Sequence, residues 1–311
     1  MFKSYRKEAE FAFRAVKRAA QLCDRIQHEM VTEALSKSDK SPVTVADFAS
    51  QALVGEMLDA SFPNDPLVAE EDSRELRDPH QFGQLQAVTR FVQSELGEIG
   101  SDEVCAWIDR GNDDAAERFW TLDPIDGTKG FLRGDQYVTA LALIVDDELV
   151  VGALGCPNLN TDIEPDFDAD GCTVVAVKGE GAWAFGEEMS SGRQLHVSTI
   201  EEPARARVLR SFESGHTDTD KIGALTSALG VIADPVLMDS QAKYALLAAG
   251  RGDLLFRLLS PDRPDYKEKI WDQAAGALIV TEADGKAVLI YCYLAYGTDP
   301  ACRSILPQAS C

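Results

Sequence analysis

The sequence predicts an α/β protein, with an α+β N-terminal half and an α/β C-terminal half. Three observations carry this. A strand-like run, Phe119 to Leu122, leads straight into Asp123-Pro124-Ile125-Asp126-Gly127-Thr128. Apolar runs follow it in hairpin-like pairs, Tyr137 to Val145 with Glu148 to Leu154, and Val174 to Val177 with Gly181 to Phe185. In the second half, short apolar runs alternate with helical periodicities, the pattern of layered α/β units. The polar, Gly/Ser-containing stretch 186–196 marks the expected boundary between an N-terminal domain, 1–190, and a C-terminal one, 191–311.

Each element has its own signal. Residues 4–35 read as an amphipathic helix, with Phe11, Ala12, Ala15, Ala19, Leu22, Cys23 and Ile26 at helical spacing. Ser36 to Lys40 is a polar break. Thr44 is placed as the N-cap of the next helix and Asp47 at its N3 position, the capping-box slot. That helix runs to about Ser61. Phe62 to Pro66 is a turn, and Leu67-Val68-Ala69 a short strand ending in Glu70-Glu71-Asp72. Residues 80–97 carry a helical stripe of Phe82, Leu85, Val88, Phe91 and Val92, and 98–117 read as an acidic loop. Asp146-Asp147 and Gly179-Glu180 close the two hairpins. Beyond the boundary come a strand at Val208 to Ser211, a loop at Glu213 to Thr219 and a helix at Lys221 to Leu229. A strand at Pro235 to Met238 precedes a helix at Gln241 to Ala249 that ends at Gly250. A strand at Asp253 to Leu258, a polar loop at Ser260 to Lys269 and a helix at Ile270 to Glu282 complete the series.

A formal charge of −22 argues against a nucleic-acid polymer as partner, because such binders need a basic face. It does not argue against a small anion, since a bound metal and a few basic residues invert the field locally. The seven cysteines are widely spaced without a Cys-x-x-Cys, and there are only four histidines. Neither a disulfide framework nor a zinc site is indicated. The charged N-terminus lacks the apolar core of a signal peptide, and no stretch approaches a membrane span. The expectation is a protein of the reducing cytoplasm.

The chemistry-bearing residues are acids that end apolar elements: Asp47, Glu70, Asp123, Asp126 and Asp272. Singly, each also reads as a cap or a solvated turn. Together they place five carboxylates where backbone meets cleft. An all-oxygen set without a Cys/His cluster points to Mg²⁺. Two or three such ions suit phosphoryl transfer to water. Thr128, two residues past Asp126, has a hydroxyl placed to orient a water, or simply to close a turn.

These segments resemble the magnesium-dependent, lithium-sensitive phosphatases of the inositol monophosphatase superfamily. The resemblance rests on Asp123 to Thr128, on Trp271-Asp272-Gln273-Ala274-Ala275-Gly276 and on Val68-Ala69-Glu70-Glu71-Asp72. Within that superfamily, Ser41 to Asp47, Asp126 to Phe131 and Asp239 to Tyr244 are most similar to the 3′(2′),5′-bisphosphate nucleotidases. The resemblance implies a layered αβαβα sandwich of the sugar-phosphatase type. It also implies removal of the 3′-phosphate of adenosine 3′,5′-bisphosphate, with 3′-phosphoadenylyl sulfate a second candidate substrate. Glu70, Asp123, Asp126 and Asp272 would be Mg²⁺ ligands, with the Ile125 carbonyl another. Asp47 and Thr128 would take protons from the attacking water. His216, Ser240, Lys243 and Arg257, with Thr128 and Asp272, would hold the nucleotide. An inositol phosphate phosphatase on the same scaffold and an inactive nucleotide- or metal-binding sensor are the alternatives. The family pattern is not apparent after about residue 285, and Asp284 stands where the family has glycine.

Overall fold

A computed structural model describes residues 2–31, 41–212, 219–258 and 268–287, without the side chains of residues 31, 41–44, 219 and 220. The polar break at 36–40, the loop at 213–218 and the segment 288–311 lie outside the described residues.

Two sheets organise the described chain. The larger contains β1 (Leu67–Ala69), β2 (Arg118–Asp126), β3 (Val138–Val145), β4 (Glu148–Cys156), β5 (Cys172–Val177), β6 (Gly181–Phe185) and β7 (Arg193–Gln194), in that spatial order. Only the β1–β2 pair is parallel. The smaller has the order β10-β8-β9, from β8 (Val208–Arg210), β9 (Val236–Leu237) and β10 (Leu254–Leu255), all parallel.

The central strands β3 to β5 are largely apolar and buried along almost their whole length because both faces are covered. Helix α1 (Arg6–Ile26) and helix α2 (Ser41–Ser61) pack together over one face. There Phe11 meets Trp120 with ring centroids 5.0 Å apart. Helix α8 (Ala274–Glu282) covers the other face, beside α7 (Ala242–Ala248). Leu209 of the small sheet and Met238, just past β9, share that second core. Residues three apart on a strand face opposite ways, and β4 shows both approaches. A Cβ at Gly155 would lie 2.4 Å from the Val16 carbonyl of α1, and one at Gly152 would lie 2.9 Å from the Ala275 carbonyl of α8. The layers run helix, sheet, helix, sheet, and α6 (Thr219–Ala228), with Ile222 buried, supplies the outer helix. This is the layered α/β sandwich expected from the sequence.

The hairpin signal at Asp146-Asp147 is realised with φ of 51° and 62°, the backbone of a tight turn that follows the strand twist. Four expectations need correction. Residues 98–117 contain helix α4 (Ser101–Asp109), where Val104, Cys105 and Ile108 form a buried face within an acidic sequence. Its N-terminus favours Asp102 and Glu103, and Glu103 Oε2 accepts the Gly100 N–H at 2.7 Å. Helix α2 begins at Ser41, so Thr44 is not its N-cap and Asp47 sits deeper than N3; Pro42 fits the first turn, where its missing N–H has no cost. The strand at 253–258 is only Leu254–Leu255, leaving Arg257 beyond its end. The helix at 270–282 is split into a 3₁₀ turn, Ile270–Asp272, and α8, whose Ala-rich start packs against the sheet. Helices α3 (Phe82–Leu96) and α5 (Thr128–Arg133) complete the described helices.

Candidate active site

Strand β2 carries Asp123 and Asp126 three residues apart, a spacing that would send them to opposite faces of a regular strand. The pairing with β3 prevents this. Asp123 lies opposite Ala140 and Asp126 opposite Val138, so three steps on β2 match two on β3. This is a β-bulge, and it turns both carboxylates to one face. Pro124, which has no N–H to give a ladder, sits inside it. Its carbonyl accepts from Thr139 Oγ1 at 2.9 Å and Ser50 Oγ at 3.4 Å. Ile125 sits inside the bulge too, with its side chain buried in the α1/α2 core.

The parallel pairing of β1 with β2 brings their C-terminal ends together, so Glu70 follows Ala69 beside the Leu122–Asp123 step. Asp47 is buried on α2. One turn further along, Gln51 Nε2 donates to the carbonyls of Glu71 (2.5 Å) and Ile108 (2.8 Å), and its Oε1 accepts the Glu71 N–H at 3.0 Å. This clamp fixes the Glu70-Glu71 backbone to α2. Asp272 ends the 3₁₀ turn, and its Oδ2 accepts the Lys269 N–H at 2.8 Å. Gln241, fully buried, ties the segments together. Its N–H donates to Asp126 Oδ2 (2.5 Å), its Nε2 donates to the Trp271 carbonyl (3.0 Å), and its Oε1 accepts the Gly276 N–H (3.2 Å). Neither glutamine stood out in the sequence. Only the Asp239-to-Tyr244 run hinted at the second.

The acids influence one another. Burial, then Glu71 and Glu70, hold Asp47 well above the usual carboxylate range. Burial, then Asp126, Glu70, Asp272 and Asp47, do the same to Asp123. Glu70 keeps an exposed surface, and it is pushed up to about 7 by desolvation, Glu71, Asp272 and Asp126. Desolvation and Asp72 push Glu71 up to about 7 as well. Asp272 is raised by burial, against the Lys269 N–H and Arg257. Such a set ionises fully only when positive charge joins it.

The donors fit a hard cation. Asp47 Oδ1 and Asp123 Oδ1 are buried without a hydrogen-bond partner, and every candidate ligand is oxygen. Among the described residues, no three His, Cys, Asp or Glu side chains close into a complete ligand cage. Mg²⁺ usually retains several waters and binds through one or two carboxylates, so an open set suits it.

The small sheet supplies the opposite charge. Its three strands are parallel, and ligands of such sheets bind beyond the C-terminal strand ends. Ser211, Ser240 and Arg257 all follow those ends. Lys243 lies in the first turn of α7, with Nζ 2.9 Å from Ser211 Oγ. Burial and then Arg257 pull Lys243 down to about 8. Arg257 Nε donates to Glu268 Oε1 at 2.5 Å. Burial lowers Arg257, but Tyr244, Glu268 and Asp126 outweigh it and keep the guanidinium charged. Asp126 is raised by burial, while Arg257 and Lys243 oppose that rise, so the two charge regions meet at Asp126. Gly127 has φ 98°, and a Cβ there would come within 2.8 Å of Ser240 Cβ. Glycine therefore follows Asp126 because this turn touches the small sheet's edge. Thr128 is exposed at the first position of α5. His216 lies outside the described residues. A separate cavity of about 270 Å³, lined by Lys17, Asp24, Cys156 and Cys172 among others, includes none of these site residues.

Comparison with known proteins gives this arrangement its lineage. The chain is 41% identical over 302 residues to the 3′(2′),5′-bisphosphate nucleotidase of Schizosaccharomyces pombe, covering 91% of this chain and 84% of that one. It is 40% identical over 301 residues to 3′(2′),5′-bisphosphate nucleotidase 1 of Arabidopsis thaliana, covering 90% and 84%. Among solved structures, an inositol monophosphatase from Zymomonas mobilis superposes with a TM-score of 0.59 at 20% identity, covering 91% of this chain and 85% of that one. CysQ from Bacteroides thetaiotaomicron, a bacterial member of the inositol monophosphatase family, gives 0.56 at 18%, covering 90% and 88%. At these identities the structures speak for the fold alone. Residues 4–302 match the profile described as "Inositol monophosphatase family". The match continues past residue 285, after which the sequence motifs of the family are not apparent. The sequence match over nearly the whole chain and the shared sandwich fold lead to one conclusion: the chain belongs to the inositol monophosphatase family.

Proposed function

We propose that the protein is a Mg²⁺-dependent phosphatase that hydrolyses adenosine 3′,5′-bisphosphate to AMP and phosphate. The observation that carries this is the meeting, at Asp126, of buried carboxylates with the Lys243–Arg257 cation pair. The relatives' name supports the same substrate. The acidic rim suits two or three Mg²⁺ ions and the basic rim a second, non-reacting phosphate. A substrate with two phosphates on a ribose uses both.

Glu70, Asp123, Asp126, Asp272 and the Ile125 carbonyl would hold the ions. When bound, Mg²⁺ neutralises developing phosphoryl charge and makes water a better nucleophile. Asp47, held well above the usual carboxylate range by burial and by Glu71 and Glu70, is suited to accept a proton from that water, with the Thr128 hydroxyl orienting it. Ser240, Lys243 and Arg257 would hold the 5′-phosphate, with His216 a further nucleotide contact. Arg257 is kept charged for this purpose. The division into units 1–190 and 191–311 belongs to the same proposal; the large sheet ends at Gln194, although α8 returns to it from the C-terminal side. Sensitivity to Li⁺ and a cytoplasmic setting also belong to this reading. No helix among the described residues is long and apolar enough to cross a membrane.

A substrate panel tests the reading. Phosphate release with Mg²⁺ is measured on adenosine 3′,5′-bisphosphate, inositol 1-phosphate and inositol 1,4-bisphosphate. The nucleotide is expected to show the highest kcat/KM. Preference for an inositol phosphate would overturn it.

A further inference from the structure

Phe212 is a large aromatic that the chain leaves half exposed, at 51%, two residues past the C-terminal end of β8. It follows Ser211, whose hydroxyl binds Lys243 Nζ. It is braced from two directions. Its backbone N–H donates to Asp239 Oδ1 at 3.3 Å, and its ring centroid lies 5.8 Å from the Arg133 guanidinium. Arg133 is itself held by Asp239, the residue before Ser240, with Asp135 Oδ2 at 3.6 Å. Arg133 also ends α5, the helix begun by Thr128. The ring is therefore fixed between the helix that follows the Asp-Gly-Thr turn and the edge that presents Ser240 and Lys243.

We propose that Phe212, backed by Arg133, is the platform on which the base of the nucleotide substrate stacks. The inference rests on the reading of the site as a nucleotide phosphatase and assigns it a specificity-determining residue. A guanidinium near one face of the ring attracts its π cloud and holds its orientation. A base stacks on an aromatic face without base-specific hydrogen bonds. An inositol phosphate has no flat face to offer, so the platform favours nucleotides. Because the ring follows Ser211, the partner of Lys243 on the cation rim, it acts on binding more than on the chemical step.

The test uses the full chain with Mg²⁺. Phe212→Ala is expected to raise KM for adenosine 3′,5′-bisphosphate about tenfold, the scale of one lost base stack, with kcat within about twofold. Phe212→Trp is expected to restore KM. For 1-deoxyribose 3,5-bisphosphate, the same sugar and phosphates without a base, Phe212→Ala is expected to leave KM in place. An equal rise on both substrates, or no rise on either, overturns the platform. Calorimetric titration of AMP separates this from the activity itself. If the wild-type protein prefers inositol phosphates but binds AMP about tenfold more tightly than Phe212→Ala does, the activity reading falls and the platform stands. If the wild-type protein hydrolyses the nucleotide and Phe212→Ala matches it in KM and AMP affinity, the platform falls and the activity reading stands.

Discussion

One rim of the site is made of Asp47, Glu70, Asp123 and Asp272, carboxylates whose protonation burial and mutual repulsion favour. The other is made of Ser240, Lys243 and Arg257, whose polar groups already have partners in Ala242, Ser211 and Glu268. Asp126 belongs to the first rim and feels the second. The acidic rim stores unfavourable electrostatics that a cation would relieve, and two of its oxygens have no partner. On the basic rim Lys243 gives one donor to Ser211 and Arg257 its Nε to Glu268, so a phosphate is met by the donors that remain. Substitutions on the first rim should therefore separate activity from stability, and those on the second should act on affinity.

The largest effect is expected at the junction. Asp126→Asn should lower Mg²⁺-dependent phosphate release at least about a hundredfold, since a ligand and the contact to Gln241 are both weakened. Turnover near wild type would break the assignment of the acidic rim. Next, Lys243→Met keeps the buried stem but removes the charge, and KM should rise about thirtyfold with a smaller change in kcat. Steady-state kinetics that show a loss in kcat alone would place Lys243 outside the binding rim. Gln241→Ala removes the bridge to Trp271 and Gly276, and kcat should fall about tenfold as the Asp272 turn loosens. A crystal structure of that variant with the turn unmoved would count against the tether.

Smaller effects concern stability. Glu70 and Glu71 have folded pKa values raised to about 7 from an ordinary 4.5. A raised carboxyl contributes stability in full below its unfolded value and loses it as pH climbs through 7. The metal-free protein should soften over that window. Mg²⁺ should therefore raise Tm more at about pH 8 than at about pH 6, which scanning calorimetry would read, because ligands bind the ion deprotonated. Asp47→Asn replaces a buried carboxyl whose ionisation burial, Glu71 and Glu70 oppose, and should raise the metal-free Tm by about 2–4 °C while activity is lost. A falling Tm would show that Asp47 is a structural acid.

Much of this was legible because the residues involved are contiguous. Asp123 to Thr128 holds two acids, a stiff proline and the glycine of the turn within six positions. Asp146-Asp147 announces a hairpin by composition alone. Helix α4 was hidden because Asp102, Glu103 and Asp109 made an acidic stretch resemble a loop, and its apolar face is only Val104, Cys105 and Ile108. Gln51, Gln241, Arg133 and Asp239 were illegible as site residues because each acts on partners distant in the chain.

The sequence by itself determined the elements, the identities of the acids and the family they signal, since local periodicity and short motifs are written in neighbouring residues. Only the tertiary structure decided which way those residues face. A single extra residue in β2 puts Asp123 and Asp126 on one side, because strand parity counts paired positions and not sequence positions. Three short parallel strands bring Ser211, Ser240 and Arg257 to one edge, because parallel pairing aligns all the C-terminal ends in one direction. Charges from opposite halves of the chain then meet around Asp126, an encounter set by the packing of sheet on helix on sheet.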